Sequence, residues 1–245
     1  MNAVAGISRD AFLIAALARL IGDARSVAVG AGSPIPAAAA LLAEEASGGR
    51  VRPMILGSSL CGPFNDNGPE LFDRAGQGRI DVFFLGGGQI DGAGNINLVG
   101  TGPYPKPETR FPGSFGSAYL YFMVPRVILF REEHSRRVLV PKVDFISAPG
   151  ASDVPLERRG GPDALLTGKA LFRFSGARRR FGLESVHPGA TMDEVRAGCG
   201  FEFDCPDAAP ETPAPPVEWL ALMNGPVRRR VAEVYPAFAE TRLGA

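Results

Sequence analysis

The chain has 245 residues, of which 45% are hydrophobic and 21% charged, enough to build a sizeable core without disulfide or metal staples. Twenty-six basic and twenty-six acidic side chains cancel, which argues against nucleic acid or an anionic membrane as partner. Three cysteines with no CxxC pair and only two histidines leave neither a zinc cage nor a disulfide framework, and fit a reduced cytoplasm.

The first predicted element is an amphipathic helix, capped by Ser8 or Asp10, with Phe12, Leu13, Ala16, Leu17 and Leu20 on one face. Its apolar stretch AFLIAALA is far shorter than the roughly 20 residues that cross a bilayer. SVAVGAG (26–32) reads as a buried strand running into a glycine-rich turn, and an alanine-rich helix closes at Gly48-Gly49. RPMILGSS (52–59) is a second strand, ELFDRAGQG a helix and RIDVFFLGG (79–87) a third strand. Strand and helix alternating with short connections predict an α/β fold with a mostly parallel sheet. The strand ends VGAGSP, LGSSLCG and LGGGQ then mark where ligands collect in such sheets.

After residue 97 the pattern changes. VPRVILF, RRVLVPKVDFIS, ALLTGKALFRFS and RFGLESVHP predict short strands of a mixed or antiparallel portion. ATMDEVRAGCG predicts a short helix in which Thr191 and Glu194 form a capping box. Residues 205–216 are a proline-rich connector, and 217–245 a C-terminal helical arm that packs on a neighbouring subunit or on its own surface.

Familiar motifs fail on inspection. VGAGSP lacks the third glycine of a dinucleotide turn, and Pro34 and Pro36 sit where the helix should open. Gly168-Lys169 continues to Ala170, so no Walker lysine is present, and no G-x-S-x-G marks a nucleophile elbow. His134 and His187 read as structural or solvated. The arginine runs 178–180 and 228–230 read as solvated faces that leave an anionic ligand open.

Four segments together resemble the β subunit of the family I CoA-transferases, the glutaconate CoA-transferase type in particular: VAVGAGSPIP, FLGGGQIDGAGNIN, RFPGSFGSA (110–118) and HPGATMDEVRAGCGFEF. The resemblance covers roughly residues 8–204, which it marks as one α/β domain. It implies an open sheet with helices on both faces, an obligate α subunit in an α2β2 heterotetramer, and an active site shared with that partner that accepts an acyl-CoA. CoA enters as part of the substrate, and no metal or other cofactor is implied. By the same resemblance Gln89 lies near the reacting carbonyl, and Gly87 and Gly88 form the strand end lining the cleft. The amides of Gly113, Ser114 and Gly116 supply oxyanion-type stabilisation. Ser58 and Asn97 help to shape the pocket, and Arg126 faces either substrate or an interface carboxylate.

One departure decides the chemistry expected. Transferases of this family attack the thioester with a β-subunit glutamate placed after the second strand. Here that position falls on Gly57 or Ser58, and no acid occurs between Glu45 and Asp66. The same loss marks a related branch, the steroid ring-opening CoA hydrolases, in which an α-subunit glutamate acts as base and a carbon–carbon bond of a cyclic ketone is hydrolysed. The leading expectation is therefore a hydrolytic β subunit. The alternatives are a CoA-transferase whose nucleophile is Asp66, Glu70 or an α-chain residue, and a non-catalytic structural subunit.

Overall fold

A computed structural model describes residues 6–62, 69–151 and 158–243. Asp66, one of the alternative nucleophiles, lies outside them. The chain divides into two compact units, Met1–Phe84 with Pro213–Ala245 and Leu85–Thr212.

The first unit opens with α1 (Arg9–Ile21). Ser8 is its cap, with the Ala11 amide donating to the hydroxyl at 3.2 Å, while Asp10 sits buried inside the first turn. Gly22 ends the helix with φ of 59°. After β1 (Ser26–Val29) comes α2 (Pro34–Ala46), in which both prolines fall in the first turn, where a missing N–H costs no helical bond. Ala37 to Leu42 are fully buried, as expected of a helix apolar on every side. The strands β2 (Arg52–Ile55) and β3 (Val82–Leu85), separated by α3 (Pro69–Gly76), flank β1 in parallel, with Val27 opposite both Pro53 and Val82. Their apolar residues are buried almost without exception, the pattern of parallel strands covered on both faces.

The second unit begins with the hairpin of β4 (Gln89–Ile90) and β5 (Ile96–Asn97), followed by the pair β6 (Gly100–Thr101) and β7 (Thr109–Arg110). The helix α4 (Ser117–Met123) leads into β8 (Arg126–Arg131), which pairs in parallel with β9 (Pro162–Thr167). From there β9, β10 (Ala170–Ser175) and β11 (Arg180–Val186) run as an antiparallel meander with a bulge at Leu171/Phe172. Leu129, Leu165, Leu166, Phe172 and Phe181 form its buried centre. The helix α5 (Met192–Gly198) carries both halves of the Thr191–Glu194 capping box.

Two expectations change. RRVLVPKVDFIS does not form a strand: Leu139 makes one isolated bridge to Ile90, and Pro141, which has no N–H for a ladder, prevents its extension. The connector is also less free than its composition suggests, because Thr212 is buried and Glu211 bridges Val186.

Beyond Pro213 the chain returns to the first unit as α6 (Val217–Leu222), a π turn (Met223–Val227) kinked at Gly225 and Pro226, α7 (Arg228–Val231) and α8 (Pro236–Thr241). This segment packs on its own chain. Arg19 donates to Pro213 O at 2.7 Å, the Tyr235 hydroxyl accepts from Ser33 N at 3.1 Å, and Arg242 pairs with Asp10. Both ends of the chain, Met1–Phe84 and Pro213–Ala245, thus build one compact unit.

Candidate active site

The glycine-rich run 84–97 is a tight hairpin whose turn is organised by Asp91. The Ala93 and Asn95 amides each donate to its Oδ1 at 3.1 Å, and Asn95 Nδ2 donates to Oδ2 at 3.0 Å. Across the hairpin Gln89 faces Asn97. Asn97 Nδ2 donates to Gln89 Oε1 and to Gly100 O, both at 2.7 Å, while its Oδ1 accepts from Val99 N and Gly100 N at 2.9 and 3.2 Å. All four hydrogen-bonding positions of this fully buried amide are therefore satisfied inside the protein. Gln89 Oε1 also accepts from Asp144 N at 3.0 Å, and Gln89 Nε2 donates to Asp144 Oδ2 at 3.2 Å. Asp144 is exposed and also receives the Gly102 amide at 2.9 Å, so a carboxylate stands beside Gln89 at the surface of this unit.

The glycines ahead of the hairpin are there for close approach. A Cβ on Gly88 would lie 2.2 Å from the Phe111 ring, and one on Gly87 would lie 2.6 Å from Ile96. Among the expected oxyanion donors, the Gly88 amide already bonds Asn97 O at 2.9 Å and the Gly113 amide bonds Leu98 O at 3.1 Å. The amides of Gly87, Ser114 and Gly116 make no hydrogen bond to a described residue and remain available. Between the last two, Phe115 is 72% exposed and held at φ of 45°, a region a bulky side chain rarely occupies. Backbone strain of this kind clusters at functional loops. Arg126 is directed elsewhere, to Asp163 at 3.2 Å, a carboxylate it shares with Arg173.

In the first unit, the loop after β2 holds the position of the missing glutamate. Gly57 adopts φ of 90°, and Ser58 and Ser59 follow. The Ser58 hydroxyl accepts from Leu60 N and Cys61 N at 3.2 and 2.9 Å and donates to Glu233 Oε2 at 2.6 Å. Glu233 Oε1 receives Ser59 N at 2.6 Å, Ser59 Oγ at 2.7 Å and Leu60 N at 3.2 Å. A carboxylate 175 residues away in sequence thus clamps residues 58–60, in a stretch (56–65) that has no acid. Partial desolvation raises the Glu233 pKa, but the donors from Ser58, Ser59 and Leu60 outweigh it and hold the group below the ordinary carboxylate range. Glu70, another alternative nucleophile, lies in the first turn of α3.

Both histidines are structural. His187 bridges Thr212 Oγ1 and Thr167 O at 2.9 Å each, and His134 bridges Thr167 Oγ1 at 2.8 Å and Val195 O at 2.9 Å. Burial pushes the His134 pKa down. Sequence reasoning missed Asp91, Asp144 and Glu233. The Asp-Gly dipeptide at 91–92 is a turn signal that marks the first; nothing local marks the other two.

The Coenzyme A transferase profile matches residues 66–198, more than half of the chain, and the chain belongs to that family. It is 33% identical over 144 residues to a glutaconate CoA-transferase polypeptide of Acidaminococcus fermentans, covering 56% of this chain and 53% of the relative. It is 30% identical over 159 residues to the cholesterol ring-cleaving hydrolase IpdB polypeptide of Rhodococcus jostii, covering 63% and 62%. The aligned part therefore spans between half and two thirds of these curated relatives' own length. Among solved structures, the decarboxylase AibA/AibB superposes with a TM-score of 0.76 at 26% identity, over 98% of this chain and 100% of that one. The glutaconate CoA-transferase of Acidaminococcus fermentans superposes with a TM-score of 0.79 at 23% identity, over 92% and 98%, a likeness of fold. The α/β class with parallel and antiparallel portions is thus the family's own. None of the helices among the described residues is long and apolar enough to cross a membrane.

Proposed function

We propose that this chain is the β subunit of a heteromeric, cytoplasmic acyl-CoA-processing enzyme that hydrolyses a carbon–carbon bond of a cyclic ketone carried as a CoA thioester. An α subunit joins it in an α2β2 assembly and contributes the catalytic carboxylate. Names among its relatives support both the ring-cleaving and the partnered character. The observation that carries the reading is the loop after β2. Its residues 56–65 include no acid, and the carboxylate that reaches them, Glu233, is engaged by four donors and held below the ordinary carboxylate range. So engaged, it is a weak nucleophile and a weak base.

The chemistry balances without a covalent intermediate on this chain. Water, activated by the α-subunit carboxylate, adds its oxygen to the ring carbonyl carbon. The bond from that carbon to its ring neighbour breaks, the electron pair goes to the neighbour, and a proton completes it. A carboxylate results and the thioester stays intact. The unengaged amides of Gly87, Ser114 and Gly116 are the candidates to receive the developing oxyanion. Gln89 and Asn97, buried and bonded to one another and to Val99, Gly100 and Asp144, hold that backbone in place, while Ser58 fixes the loop after β2. The reaction needs no cofactor beyond the CoA of the substrate.

A second reading is favoured by the position of Glu233 itself: CoA transfer, with this residue as nucleophile. Hydroxylamine trapping under turnover separates the two. Hydrolysis predicts no hydroxamate on this chain. A hydroxamate at Glu233 would overturn the hydrolytic reading and establish transfer.

A further inference from the structure

A cavity of about 740 Å³ opens in the first unit at the amino-terminal end of its three parallel strands. Its lining includes Arg25, just before β1; Arg50 and Arg52, at the start of β2; Arg79, three residues before β3; Arg74, in the last turn of α3; and Arg230, of α7. The ladder fixes their spacing, since Ser26 stands opposite Arg52 and Asp81 N donates to Ser26 O at 3.2 Å.

Among the described residues two carboxylates share this lining, and both are engaged. Asp81 Oδ2 receives Arg25 N, Ser26 N and the Ser26 hydroxyl at 2.8, 2.9 and 3.1 Å. Glu44 lies 2.6 Å from Arg230, which also binds Glu45 at 3.0 Å and Cys61 Sγ at 3.0 Å. The other five guanidinium groups make no hydrogen bond or ion pair to a described residue. Arginines recruited merely to the carbonyl ends of α2 and α3 would bond those carbonyls, and these do not. In a protein of zero formal net charge, such a concentration is not a by-product of composition.

Guanidinium groups match phosphate geometry in paired hydrogen bonds, and a concave wall in which six arginines face two already engaged carboxylates focuses a positive field on a bound anion. The volume suits a small molecule and not a nucleic acid strand. We infer that this cavity binds a small ligand carrying two or more phosphate groups. Binding there is independent of the reaction proposed above, so either stands if the other fails.

Isothermal titration of the full chain, purified with its partner subunit and probed with pyrophosphate and with ADP at low salt, tests it. One-to-one binding is expected, weakening as salt rises, and weakened roughly tenfold or more by Arg50→Ala with Arg52→Ala. Arg229→Ala, an exposed neighbour outside the lining, should leave it unchanged. If the double variant fails to fold, Arg79→Ala alone carries the comparison. Competition by CoA would identify the nucleotide end of a thioester as the natural source, and its absence a free nucleotide; both outcomes support the site. Absence of binding up to ~1 mM would overturn it. So would equal loss in Arg229→Ala, or cavity variants that break association with the partner subunit while pyrophosphate never binds.

Discussion

The β4–β5 hairpin and the loop after β2 solve the same problem, fixing a polar segment at a strand end, by opposite means. In the hairpin, Gln89 and Asn97 are eight residues apart, neutral and buried; Asn97 leans on the backbone of Val99 and Gly100, and Gln89 on Asp144. In the loop, the fixing group is an exposed anion delivered from the far end of the chain. The first arrangement is rigid because breaking it strands polar groups away from water. The second is held in the presence of water and depends on charge, so it is softer and sensitive to pH.

The largest effect should follow from Asn97→Leu. It leaves Gln89 Oε1, Gly100 O and two amides short of a partner, and should cost about 2–4 kcal/mol of stability by denaturant titration. A cost below ~1 kcal/mol would break the comparison, because the buried network would then be no stiffer than the exposed clamp. Gly88→Ala drives a Cβ into Phe111 and should cost about 1–3 kcal/mol. Adding Phe111→Ala should return part of that loss, a non-additivity that a double-mutant cycle reads directly.

Glu233→Gln should cost less, about 1 kcal/mol or below once solvent screening is counted. Its pH signature is sharper than its size. The folded pKa lies below the unfolded one, so the stabilisation is present above the ordinary carboxylate range and fades as pH falls through the depressed folded value. Urea titrations between pH 7 and pH 3 should show the wild-type chain losing more stability than the Gln variant. Arg126→Ala should be the mildest change, under ~1 kcal/mol, because the pair is half-exposed and Arg173 stays on Asp163.

Those differences also explain what the sequence reveals. The first three strands and their helices are written in local apolar runs and glycine stops, and the Thr191–Glu194 box in a four-residue spacing, so both are legible. The segment around Val138 and Val140 carries the same apolar signal but meets β4 only at the Leu139–Ile90 bridge, and Pro141 closes it to further pairing; periodicity alone does not reveal that. The Gln89–Asn97 pairing follows from hairpin register once the turn at Asp91 is seen. Glu233 on Ser58, Arg230 on Glu44 and Arg242 on Asp10 are contacts between the two ends of the chain, and no local pattern in either end announces them.

The central claim is that this family member hydrolyses a carbon–carbon bond and does not move CoA. Turnover of the co-expressed pair in H2-18O, with a cyclic ketone-CoA and a carboxylate acceptor supplied together, tests it most directly. The account predicts oxygen-18 in the carboxylate of a ring-opened product that still carries its CoA. CoA appearing on the acceptor, with the ring closed and no label in the product, would contradict it.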